Sequence, residues 1–110
     1  MDLITYSPLT GSFEQITVDG TVKTFTASKY AYRGTTGASA NRPRTAQVAR
    51  VTVETAGIRY TVDGTNPTTL IGHLVAAGTT FDIEGYDAIK AFKVTQAAGA
   101  AQISVTYFGN

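Results

Sequence analysis

Apolar residues in this chain recur at every second position, which restricts it to a fold built from half-buried strands. In the stretch Ala101 to Phe108, Ile103, Val105 and Tyr107 share one face. Thr45 to Thr55 places Ala49, Val51 and Val53 on one face and Arg50, Thr52 and Glu54 on the other. Ile58 to Val62 alternates Ile58, Tyr60 and Val62 against Arg59 and Thr61, and Thr79 to Glu84 carries Phe81 and Ile83 inward. No window sustains apolar residues at i, i+3, i+4 and i+7, so helix is the minority state.

Turn chemistry separates these stretches. The string Thr-Val-Asp-Gly-Thr occurs twice, at Thr17 to Thr21 and Thr61 to Thr65, as expected of a turn and not of a catalytic motif. Asp19-Gly20 predicts a hairpin between strands Phe13 to Val18 and Thr21 to Ala27, with Phe25 marking the core side. Asp63-Gly64 turns the chain, Pro67 excludes a central-strand hydrogen bond at its own position, and Thr69 to Ala76 resumes apolar character. Gly85 to Ala88 reads as a turn or a single helical turn. Ile89 to Thr95 and Ala101 to Phe108 then read as a closing hairpin. The result is an all-β chain: a single-domain antiparallel β-sandwich or jelly roll of about eight short strands, with turn signals about every eight to twelve residues.

A chain of 110 residues fits one domain, and the absence of cysteine leaves packing or assembly to stabilise it. Residues 1–12 read as an N-terminal arm and 13–110 as the β-sandwich domain. The N-terminus lacks a basic segment followed by an apolar one, and no apolar run approaches the roughly 20 residues of a membrane helix. The expectation is a soluble, unexported protein with no membrane partner.

Charge is lopsided although the net value is only +1. Seven basic residues face Glu54 alone between positions 23 and 59, a surplus of six; elsewhere Lys90 and Lys93 stand against seven carboxylates, a deficit of five. Much of the surplus lies in "SKYAYRGTTGASANRPR", Ser28 to Arg44, read as a long basic loop. A loop this long in a compact domain is usually functional or disordered. Its Lys29, Tyr30, Tyr32, Arg33, Arg42 and Arg44 are the candidate partner-binding residues, because Tyr and Arg are favoured interface anchors. Tyrosines interleaved with basic residues also suit nucleic acid, but a protein partner is preferred.

No residue set points to catalysis. His73 is the only histidine, and neither a nucleophilic triad nor a zinc site has its partners at a recognisable spacing. Asp82 and Glu84 alternate with core residues and read as an outward, solvated strand face rather than an acid pair or calcium site. Gly34, Gly37, Gly57 and Gly64 never assemble into a phosphate-binding string. The expectation is a non-enzymatic protein with no cofactor and no metal.

From Val51 to Phe108 the succession Val-Thr-Val-Glu, Ile-Arg-Tyr, Asp-Gly-Thr with a nearby Pro-Thr, Gly-His, Ala-Gly, Ile-x-x-Phe and a final Tyr-Phe resembles small virion proteins of tailed bacteriophages. The resemblance covers about half the chain. It implies a structural role, most plausibly a capsid decoration or cement protein on the head, or a small component elsewhere on the particle. The partners implied are the major capsid protein or other virion subunits, with a dimeric or trimeric homo-oligomer and a location in the virion after assembly in the host cytoplasm. Tyr60 to Thr68 also resembles a string in immunoglobulin-like modules that accompany carbohydrate enzymes, although the chain has no tryptophan for a sugar platform.

Overall fold

The computed structural model describes residues 7–9, 11–33 and 43–109. The strands are β1 (Ser7–Pro8), β2 (Glu14–Val18), β3 (Ala31–Arg33), β4 (Pro43–Glu54), β5 (Ile58–Thr61), β6 (His73–Val75), β7 (Thr80–Glu84), β8 (Lys93–Gln96) and β9 (Ala101–Gly109). Two short helices, α1 (Ala27–Tyr30) and α2 (Tyr86–Ala91), complete the described elements. The fold is all-β, with two antiparallel sheets forming a sandwich, as the alternation predicts.

The larger sheet is built on the two longest strands. β4 and β9 pair over most of their length, with Val51 opposite Val105, Val53 opposite Ile103 and Ala49 opposite Tyr107. All six side chains are fully buried, so the alternation in each strand places one face on the core. β3 and β7 flank β4, while β1 and β2 flank β9. The register shifts between Ala46 and Val48, and the regular alternation of β4 begins only after this bulge. The smaller sheet has the order β6-β5-β8.

Aromatic rings join the two layers. Phe25 stacks on Phe92 at 4.0 Å between centroids and meets the edge of Tyr107 at 5.5 Å. Tyr60, from the smaller sheet, lies 5.7 Å from Phe92 and 4.9 Å from Phe81.

Two expected hairpins do not form. β2 pairs with β9, and residues 21–26 cross to the smaller sheet, where Lys23 and Val94 exchange backbone hydrogen bonds of 2.9 Å. A two-residue hairpin turn of the Asp-Gly type needs positive φ at both residues. Neither Asp19 nor Gly20 has it. Asp19 instead accepts the Thr21 amide on its side chain, while its carbonyl accepts the Gln96 amide and the Thr95 hydroxyl. The closing hairpin is also replaced: β8 pairs with β5 and β9 with β4, so consecutive strands lie in different sheets. Ile89 sits in α2, fully buried.

The described part of the expected N-terminal arm belongs to the domain. Ser7 and Pro8 pair with Gly109 and Phe108, Leu9 is buried, and the buried Ser12 hydroxyl donates to the Leu9 carbonyl at 2.6 Å. Residues 1–6 and 10 lie outside the described residues.

Between β4 and β5 the chain turns at Thr55, whose φ of 78° is the one positive value at a described non-glycine residue. A β-branched residue there is strained, and the side chain is exposed. Thr55→Gly is expected to raise the unfolding free energy by about 0.5–1 kcal/mol in urea denaturation, the relief of strain exceeding the entropy glycine adds to the unfolded chain.

Candidate functional site

The segment expected as one long basic loop is ordered at both ends. Ala27–Tyr30 forms a single helical turn, and β3 pairs with the start of β4 so that Ala31, Tyr32 and Arg33 face Thr45, Arg44 and Pro43. Only 34–42, and with it Arg42, lies outside the described residues. The signal for β3 was present: a tyrosine flanked by alternating residues favours a strand, and Pro43 is tolerated as a first strand residue. Composition, dominated by small and basic residues, masked it.

The base of this hairpin is fastened to the body. Glu14 accepts the Thr26 amide at 3.2 Å, the Thr26 hydroxyl at 2.7 Å and the Tyr107 hydroxyl at 2.6 Å. Thr26 in turn holds the first turn of α1, its carbonyl accepting the Lys29 and Tyr30 amides. Lys29 donates to the Gly11 carbonyl at 3.1 Å. The Tyr30 ring packs 6.0 Å from Tyr86 and 6.4 Å from Tyr107, and Lys90 lies over the Tyr86 ring at 5.4 Å. Thus Lys29 and Tyr30 tie the segment down rather than projecting freely. Tyr32, Arg33 and Arg44 follow on the hairpin itself. β4 begins to pair with β9 only at Ala46, opposite Gly109, so among the described residues the hairpin runs on past the end of β9.

A second surface was not anticipated. Residues 64–78 carry no Asp, Glu, Lys or Arg, and most of the large apolar side chains from Thr69 to Ala76 face outward, Val75 alone packing against the core. Leu70 is 83% exposed, Ile71 53% and Leu74 61%. Hydrogen bonds hold the backbone that presents them. Arg59 donates to the carbonyls of Thr69 and Gly72 at 3.2 and 3.0 Å, and the Thr68 hydroxyl accepts the amides of Leu70 and Ile71. Lys93 donates to the Gly64 carbonyl and the Asn66 side chain, and Pro67 is buried beneath. Gly72, at φ 121°, brings the loop within 3.1 Å of the Tyr60 carbonyl measured from where a Cβ would stand, so a side chain there would clash. The sequence reading recognised the Asp-Gly turn but not that the strand returns only at His73.

Between this loop and β5 lies a cleft of about 430 Å³ lined by Thr61, Val62, Asp63, Thr65, Gly72 and His73. Two of its polar side chains, Thr61 and Asp63, bond the loop. The Thr61 hydroxyl donates to the Thr65 carbonyl, and Asp63 accepts the Thr65 amide at 3.0 Å. Thr65 therefore holds the Asp63 carboxyl below the usual carboxylate range, first through its amide and then through its hydroxyl. His73 is exposed, with its ring 5.2 Å from Tyr60. Tyr60 is half-buried and packed on Phe81 and Phe92, which leaves little of its face for a sugar.

Charged side chains elsewhere follow the same pattern. Arg50 pairs with Asp82 through two hydrogen bonds of 2.9 and 3.2 Å, Lys23 lies 3.9 Å from Asp19, and Glu84 is exposed. No group of three metal-ligating side chains occurs among the described residues, and no helix among them is long and apolar enough to cross a membrane. Comparison with family models, with curated proteins and with solved structures finds no match to this chain.

Proposed function

We propose that this chain is a non-enzymatic structural protein of a tailed-bacteriophage virion, a decoration or cement protein that binds the head surface and stabilises it. The observation that carries the reading is how its polar side chains are used. Glu14, Asp63, Arg50, Arg59 and Lys93 hold turns and strand ends of the framework, while Leu70, Ile71 and Leu74 of the uncharged apolar segment stand exposed to meet other molecules. A packed sandwich that presents exposed apolar side chains is what a binding subunit needs. The order of motifs from Val51 to Phe108 supplies the virion context.

In this reading the hairpin at Tyr32, Arg33 and Arg44, with Arg42 in the connecting segment, contacts an adjacent capsid or other virion subunit. Contact through cations weakens with salt. Replacing 34–42 by a short Gly-Ser linker removes Arg42 and leaves β3 and β4 intact. The variant is expected to keep the wild-type circular dichroism spectrum and urea midpoint, and to copurify with intact particles at reduced copy number. Unchanged copy number and particle stability would overturn the assignment of the hairpin. Failure of the wild-type protein to copurify with particles would overturn the virion reading, and salt-sensitive binding to naked DNA would move the partner to nucleic acid.

A further inference from the structure

We propose that β6 is the contact through which two copies of this chain pair, edge to edge, about a two-fold axis at Leu74. The smaller sheet has the order β6-β5-β8, and its two edges are unlike. On the β8 side, Lys23 and Val94 bond each other's backbones and close the edge. On the β6 side, no described residue pairs with the outer edge of His73–Val75. An open edge presents backbone donors and acceptors to another strand, and proteins normally cover or charge such edges. Here the edge strand carries no Asp, Glu, Lys or Arg, and neither does any residue from 64 to 81, between Asp63 and Asp82.

The occupant follows from self-complementarity. A two-fold contact sets each patch against its own copy, so a charged patch repels itself whereas an uncharged apolar one does not. Leu74 is the central residue of β6, and antiparallel pairing about it sets Leu74 opposite the same residue of the second copy. Leu74 shares its face with Arg59, its cross-strand partner, whose guanidinium anchors the turn bearing Leu70 and Ile71. The exposed Leu70, Ile71 and Leu74 therefore belong to one segment without Asp, Glu, Lys or Arg, and the cation beside Leu74, Arg59, is held by the carbonyls of Thr69 and Gly72. Because the opposite edge of the sheet is closed, pairing ends at two copies and does not propagate into a fibre. This inference stands apart from the virion reading, since it concerns the purified protein alone.

The test uses sedimentation velocity over a range of concentrations, on the wild-type chain and on Leu74→Lys, which places two like charges across the axis. Wild type is expected to dimerise, with the dissociation constant raised about 100-fold or more in Leu74→Lys at unchanged circular dichroism. Because the chain lacks cysteine, Leu74→Cys provides a second readout. Mild oxidation should link it as a dimer, while Thr17→Cys, exposed on β2 of the other sheet, should stay monomeric on a non-reducing gel. A wild-type protein that is monomeric at every concentration overturns the proposal. So does a dimer that Leu74→Lys leaves intact, or one in which Thr17→Cys cross-links as readily as Leu74→Cys.

Discussion

Phe92→Ala is expected to lower the unfolding free energy by about 3–5 kcal/mol, seen as a fall of more than about 10 °C in the thermal midpoint. Phe92 is fully buried and stacks at 4.0 Å on Phe25, whose segment crosses between the sheets, and at 5.7 Å on Tyr60 of the smaller sheet. Truncation leaves a cavity where the layers meet, and close-packed surroundings relax into such a cavity only in part. Domains of this kind have a total stability of only about 5–15 kcal/mol, so the variant loses a large fraction of it. A midpoint within about 3 °C of wild type would show that the aromatic stack does not join the layers. Leu70→Ala, at an exposed position, provides the contrast, with little expected change.

Tyr107→Phe tests the polar counterpart of that junction. The ring is fully buried, and its hydroxyl donates to Glu14 at 2.6 Å beside the two bonds that Glu14 accepts from Thr26. A hydrogen bond to a charged acceptor contributes about 1.5–3 kcal/mol, and that loss is the expected effect at neutral pH. Burial, and then the hydrogen bond and negative charge of Glu14, hold the Tyr107 hydroxyl far above the ordinary tyrosine range. The unfolded chain releases this proton near pH 10 while the folded chain keeps it. The contribution is therefore complete below about pH 10 and is lost as pH rises beyond it, with a slope of up to about 1.4 kcal/mol per pH unit. Urea midpoints from pH 8 to 11.5 should show wild type losing stability more steeply than Tyr107→Phe above pH 10. Parallel curves would mean that Tyr107 ionises as freely in the folded state as in the unfolded one.

The basic segment illustrates how far local sequence reaches toward a candidate site. Its cationic character and its two tyrosines were legible, since charge and residue type are properties of the string itself. That Tyr30 would pack near Tyr86 and Tyr107, and Lys29 reach Gly11, was not, because each contact joins positions that only the fold brings together. The apolar turn was legible as apolar. Its outward orientation depends on Arg59 and Thr68 bonding backbone groups of the loop and on the left-handed φ of Gly72.

The same division holds for the fold. Alternation by itself determined that the chain is all-β and which residues of β4 and β9 face the core, because the pleat sends neighbouring side chains to opposite sides whatever the partner strand. Partnership was decided only by the tertiary structure. A strand's alternation specifies its buried face but not its neighbour, so β8 joins β5 and β9 joins β4 although β8 and β9 are consecutive. At Asp19-Gly20 the turn residues were compatible with a hairpin, yet burying Phe25 against Phe92 and Tyr107 draws the following segment across to the smaller sheet.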